Sequence, residues 1–331
     1  LGYAMDYDGV RLDAPKHVYK DFFGLPNQTN TIKNGTFLYN IQRNFKERRL
    51  GRVKNTDVSD INFSDMYKND IRRNDAMIFS EFFIGSQGEV DYWRSPTDPN
   101  WGIKTRYLDF PRKSALIMDA FNNGNLGSLA NTTAGFSPEE GVTFAHSHDE
   151  SPPTKLDLAY AYILTHIGVP IVYFSGNNLN SSEIGRAYGK NTWMNKGYDY
   201  ALGDTVNGFQ SSAIPNLVYI HNQFCRGKEY NRWTENDFFA YERYDDLNSN
   251  GSPDSGEGLV LIALNDSGFD QTRNGIQTSF SAGTILKDYT GKNTNTVTVG
   301  AGGIVSLTVG GWSGQGWGCW APFNANGPTS G

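Results

Sequence analysis

The pattern of apolar and polar positions along this chain changes character once, near residue 235. Before that point, short apolar runs alternate with longer mixed stretches. Tyr7–Asp13, Ala76–Ser80, Thr105–Phe110, Val142–Ala145 and Val169–Phe174 read as buried parallel strands. Between them, Arg112–Asn122 and Lys155–Ile167 carry apolar residues at spacings of three and four, the period of an amphipathic helix. Ser151-Pro152-Pro153 is a start signal for the second of these helices. A rhythm of strand and helix predicts a parallel sheet or barrel. Residues Gly24–Asn74 form a long polar insertion, with an exposed helix expected over Phe37–Arg49. A connection of that length usually serves substrate access or docking.

After Trp233 the runs become short, β-branched and aromatic: Phe238–Arg243, Leu259–Leu264, Thr278–Phe280, Thr284–Tyr289, Thr296–Val299 and Ile304–Val309. Gly, Asn and Asp separate them, which predicts an antiparallel β-sandwich. The expected division is therefore residues 1–234 as an α/β domain and 235–331 as an all-β domain.

Composition narrows the partners. The 331 residues are 38% hydrophobic, enough for a large core and two domains. A formal net charge of −6 argues against nucleic acid or an anionic membrane as the main partner. No segment reaches the roughly 18 apolar residues that a membrane helix needs, and no signal-peptide pattern opens the chain. Cys225 and Cys319 are compatible with one disulfide or with two thiols. Aromatic residues make up 14% of the chain and suit neutral polar partners, because aromatic faces pack on the apolar faces of sugar rings.

The chemistry concentrates in three segments where an apolar run ends in a carboxylate. They are Gly9-Val10-Arg11-Leu12-Asp13-Ala14-Pro15-Lys16-His17-Val18, Ala76-Met77-Ile78-Phe79-Ser80-Glu81-Phe82-Phe83 and Gly141-Val142-Thr143-Phe144-Ala145-His146-Ser147-His148-Asp149. Strand ends hold a side chain rigidly and are where a barrel keeps its chemistry. Three carboxylates delivered this way point to one acidic cleft.

These segments, in this order, resemble the α-amylase family of glycoside hydrolases, from the fourth barrel strand to the end of the C-terminal β domain. Arg-Leu-Asp-Ala-Pro-Lys-His-Val is the most specific match, and Gly168-Val169-Pro170-Ile171-Val172-Tyr173 resembles the last barrel strand. The resemblance implies a partial (β/α)8 TIM-type barrel, about strands 4–8, followed by an antiparallel β-sandwich. It implies Asp13 as nucleophile, Glu81 as general acid and then base, and Asp149 as the carboxylate that holds the sugar hydroxyls. Arg11 would lie beside Asp13 and keep it ionised, His148 would contact the sugar at the cleavage point, and Lys16 and His17 would contact the leaving-group side. The activity implied is retaining endo-hydrolysis of α-1,4-glucosidic bonds in starch-like polysaccharide, by an extracellular enzyme. Two other readings stand beside it: a 4-α-glucanotransferase using the same carboxylates, and a non-catalytic carbohydrate-binding fragment.

Two departures matter. Ser147 stands where many members have Asn, and the earlier barrel strands have no counterpart here. Five of eight strands are expected, so the sequence reads as part of a larger barrel whose N-terminal segment would be a partner.

A further motif lies in the all-β region. Residues Asp246 to Glu257 match the twelve-residue calcium loop, with ligand positions at Asp246, Asn248, Asn250, Ser252, Asp254 and Glu257 and Gly251 at the sixth place. The flanks read as strands, so a Ca2+ loop in a β-hairpin is expected. The same residues also suit a plain polar turn. The family resemblance implies a separate calcium near the cleft, held partly by the backbone oxygen of His17.

Overall fold

The computed structural model describes residues 9–18, 41, 77–83, 88–89, 106–131, 133–145, 147, 153–172, 213–312 and 316–323. Apart from residue 41, the predicted insertion and its helix lie outside these residues, as do His148 and Asp149. The chain divides into two compact units, Leu1–Pro111 with Gly135–Val142, and Arg112–Ala134 with Thr143–Gly331.

In the first unit, β1 (Gly9–Leu12), β2 (Met77–Ser80), β3 (Arg106–Leu108) and the start of β4 (Gly141–Thr143) pair in parallel, in that order. A small core of Phe82, Tyr107 and Phe136 sits beside them. Asp109, 1% exposed, accepts the Phe136 N–H at 3.1 Å. β5 (Val169–Pro170) follows β4 in the sheet order, and the Ile171 N–H donates to the Thr143 carbonyl at 2.9 Å. The five parallel strands are the partial barrel that the resemblance implies.

The helix predicted over Arg112–Asn122 forms with a distortion. It begins as a single turn, Phe110–Arg112, widens to a π-type stretch at Lys113–Ile117, and ends as α1 (Met118–Asn123). Gly124 ends it with φ +77, the left-handed conformation that glycine takes without steric cost. The second predicted helix is α2 (Leu156–Thr165), and α3 (Ala213–Phe224) is one that the pattern did not reveal.

The antiparallel region holds a six-stranded sheet in the order β11-β10-β13-β8-β7-β6 and a two-stranded sheet of β12 and β9. The strands are β6 (Lys228–Thr234), β7 (Phe238–Tyr244), β8 (Gly258–Asn265), β9 (Gln271–Gln277), β10 (Ile285–Asp288), β11 (Val297–Thr298), β12 (Ile304–Val309) and β13 (Trp317–Pro322). The central strands β7 and β8 are rich in consecutive apolar residues because both of their faces are buried, although β7 also buries Glu242 and Arg243. Phe239, Tyr241, Val260, Ile262 and Leu264 pack with α1, α2 and α3, while Phe238, Ala240, Leu261 and Ala263 pack with Ile276, Val305, Leu307 and Trp320. Period-two alternation thus serves two cores at once. The expected boundary at residue 235 falls inside the β6–β7 hairpin, since Thr234 pairs with Phe239. Cys225 and Cys319 are both buried free thiols, and burial pushes the Cys225 thiol up to about 12.

Gly227 joins α3 to β6 at φ +70, and a Cβ there would run into the Tyr244 carbonyl. Gly227→Ala combines a left-handed backbone with overpacking and is expected to cost roughly 2 kcal/mol or more in urea unfolding. Wild-type stability would show that the turn relaxes freely.

His166 caps α2 and is 6% exposed. Its Nδ1 pairs with Glu229 at 2.9 Å, while its buried Nε2 has no hydrogen-bond partner among the described residues. Burial lowers the imidazole pKa against the upward pull of Glu229, and Arg112 and Arg243 lower it further; burial also lowers His221. A histidine whose folded pKa is depressed binds fewer protons folded than unfolded. Its stabilising share is complete above the unfolded value of 6.5 and is lost as pH falls through the folded pKa. Protonation would put an N–H into the core without an acceptor, at a cost of about 1–3 kcal/mol. Melting temperature should therefore fall on acidification below about pH 6.5. A flat profile would contradict a buried neutral His166.

Candidate active site

The first unit places two of the predicted carboxylates by strand register alone. β1 and β2 are parallel neighbours, with Arg11 opposite Phe79 and Leu12 opposite Ser80. The Glu81 N–H donates to the Leu12 carbonyl at 2.9 Å, carrying the ladder one step past β2. Side chains alternate along a strand, so Arg11, Phe79 and Glu81 share a face, and Asp13, two residues after Arg11, continues it. Neighbouring strands lie about 4.8 Å apart. That spacing is of the same scale as the roughly 5–5.5 Å separating the carboxyls of a retaining glycosidase.

Arg11 ties the pair together. One guanidinium nitrogen contacts Asp13 Oδ1 at 3.1 Å and the other forms an ion pair with Glu81 Oε2. A cation between two carboxylates offsets their repulsion and fixes both rotamers. Their surroundings differ sharply. The Asp13 side chain is 75% exposed and that of Glu81 is 11% exposed, so one is open to an incoming molecule and the other is shielded.

Beyond Asp13 the backbone turns abruptly. Ala14 has φ 41 and ψ 48, a left-handed conformation that costs a non-glycine residue roughly 1–2 kcal/mol. A single 3₁₀ turn, Pro15–His17, follows and sets Lys16 and His17 at the surface. Lys16 Nζ reaches the Phe83 carbonyl at 3.3 Å and lies 5.7 Å from the centre of the Phe83 ring.

Phe83 is the feature that sequence reading missed. Its side chain packs on Phe110, yet the residue is 67% exposed, and it stands two residues past Glu81. An aromatic repeat directly after a predicted acid was the available signal. The structure therefore gathers Arg11, Asp13, Lys16 and Glu81, and leaves His17 exposed next to Lys16.

No protein-family model matches the chain. Among curated proteins, it is 26% identical over 241 residues to a cyclomaltodextrin glucanotransferase of Bacillus sp. (strain 1-1), covering 69% of this chain and 32% of that protein. It is 28% identical over 248 residues to that of Geobacillus stearothermophilus, with the same coverage. This chain is similar to the α-amylase family in sequence and in fold. It spans about a third of the length of the curated relatives it matches, 32% in both cases. Solved α-amylase-family structures share its fold. The cyclomaltodextrin glucanotransferase CldA superposes with a TM-score of 0.58 at 21% identity, over 97% of this chain and 57% of that one. An Anoxybacillus α-amylase superposes with a TM-score of 0.56 at 16% identity, over 98% and 61%. The expected fold class, a partial barrel of α-amylase type with a β-sandwich, holds.

Proposed function

We propose that this chain carries the nucleophile and the acid–base carboxylate of an enzyme that cleaves α-1,4-glucans with retention of configuration. The observation that carries the proposal is the Arg11 bridge between Asp13 and Glu81 on adjacent parallel strands. Asp13, open to solvent, attacks the anomeric carbon and forms a glycosyl ester. Glu81, shielded, gives its proton to the departing oxygen and then takes one from the acceptor. Asp149 and His148 complete the sugar contacts in this reading, Lys16 and His17 face the leaving-group side, and the enzyme works outside the cell.

Hydrolysis and transfer differ only in what resolves the ester, water or a sugar hydroxyl. We favour endo-hydrolysis, as in α-amylases. A second reading, 4-α-glucan transfer, is supported by the curated relatives above, which are named as glucanotransferases. Product analysis at high maltooligosaccharide concentration separates the two. Products longer than the substrate indicate transfer, and only shorter ones indicate hydrolysis. A chain that binds glucan identically with and without Asp13→Asn and cleaves nothing would be a binding fragment instead.

Phe83 supports a polymeric sugar substrate, since an exposed ring beside the carboxylates offers a face for a pyranose to pack on. Phe83→Ala is expected to raise KM for a maltooligosaccharide on the order of tenfold, the worth of burying about half an aromatic side chain, with kcat nearly kept. An unchanged KM would remove the ring from the substrate path.

A further inference from the structure

We propose that the loop joining β7 to β8, Asp246 to Glu257, is a calcium site that fastens the hairpin at the start of the antiparallel domain. It lies outside the carboxylate site described above and does not depend on that site's chemistry.

The loop's first residue carries the argument. The Asp246 side chain is only 6% exposed, although the loop around it is a surface turn. Its Oδ2 accepts the Gly251 N–H at 3.0 Å across the loop and the Lys228 ammonium at 2.6 Å. The first of these bonds points the carboxylate into the loop. Its Oδ1 is buried with no hydrogen-bond partner among the described residues. A buried carboxylate oxygen without a partner is costly, and the usual resolution is a cation.

The rest of the twelve residues supply what a calcium ion takes. Calcium takes six to eight oxygens, and its loop needs a sharp turn at the sixth position. Gly251 provides that turn at φ +81, and the Tyr244 hydroxyl donates to its carbonyl at 3.0 Å. The amides of Asn248 and Asn250 both converge on Asp254 Oδ2, at 2.8 and 2.7 Å. Third, fifth and ninth positions thus meet at one point, where a divalent ion would replace the two amide N–H groups as partner of the carboxylate. Glu257, at the twelfth position, spans the loop with its two oxygens on the N–H groups of Leu247 (3.0 Å) and Asp254 (2.9 Å). Three carboxylates face this loop against one ammonium, that of Lys228. Among the described residues no three His, Cys, Asp or Glu side chains are grouped as a metal cage. A set of amide and carboxylate oxygens on one surface loop is instead the donor set of calcium, and a poor one for zinc or magnesium.

The test is calorimetric titration of calcium chloride into the chelator-stripped full chain and into Asp254→Ala, with melting temperatures read in parallel. The wild type is expected to bind one ion more than the variant, or to bind it at least about tenfold tighter, and to gain a calcium-dependent rise in melting temperature that the variant lacks. Magnesium should give neither effect. Terbium bound in the wild type should luminesce on tyrosine excitation, because Tyr244 touches the loop. Comparing the two proteins separates this ion from any held near the cleft. If Asp254→Ala does not fold, Asn250→Ala, at an exposed position, takes its place. Equal stoichiometry and affinity in wild type and variant, or no calcium bound by the wild type, would overturn the site.

Discussion

Glu81→Gln is expected to lower glucan cleavage by about 10²–10⁴-fold, the usual contribution of a positioned general acid–base. The amide keeps the shape of the carboxyl but neither gives nor takes the proton. Its backbone N–H still bonds to Leu12, so the strand pairing of β1 and β2 and the melting temperature should persist. The loss should be smallest for a substrate whose leaving group departs without protonation, such as a glycosyl fluoride. In that case the first step proceeds and only the second stalls. Equal losses for glucan and glycosyl fluoride would instead point to a disrupted Arg11, which the Gln amide would no longer pair as an ion.

The largest effect on stability is expected at a buried ion pair in the antiparallel sheet. Arg232 Nε donates to Glu242 Oε2 at 2.6 Å, with side chains 6% and 0% exposed. Glu242 also accepts the Ser279 N–H at 3.1 Å and its hydroxyl at 2.6 Å. Burial raises the Glu242 carboxyl, and Arg232 is the chief opposing influence. Arg232→Leu leaves that carboxylate buried without its cation, which typically costs about 3–5 kcal/mol. The sign of the pH dependence follows. A carboxyl raised in the fold favours the protonated form, so its stabilising share is present at low pH and is lost as pH rises through the folded value. The deficit of Arg232→Leu should therefore be larger at neutral than at acidic pH in urea titrations. A deficit below about 1 kcal/mol, independent of pH, would place water on the pair.

Much of this molecule was legible in the order of its residues, and the exceptions have physical causes. β1, β2, β7, β8 and β12 announce themselves because their apolar positions are continuous or strictly alternating. β6, Lys228–Thr234, did not, since it is an edge strand whose residues are mostly half-exposed and polar. β9 was placed too late, at Thr278–Phe280. The true strand, Gln271–Gln277, is polar along most of its length and is held by pairing with β12. β13 hides behind Gly318 and Pro322, which read as breakers, although Gly318 is needed where the Trp320 ring closes over it. In the site, Asp13 and Glu81 were legible as carboxylates that close apolar runs and Arg11 through the resemblance, whereas the register that sets them on adjacent strands and the Arg11–Glu81 pair emerge only from the fold. Phe83 was hidden, since whether an aromatic is core or platform depends on its neighbours in space. Asp149, the third carboxylate to close an apolar run, and His148, implied by the resemblance, fall outside the described residues.

Incubating the Glu81→Gln protein with an α-maltosyl fluoride and mapping any covalent sugar by peptide mass spectrometry tests the assignment of Asp13 as nucleophile. Fluoride leaves without acid assistance, and the missing base slows release, so the glycosyl ester should accumulate. One maltosyl adduct is expected, on the peptide containing Asp13 and absent in Asp13→Asn. An adduct on another carboxylate, or turnover to a product of inverted configuration, would contradict it.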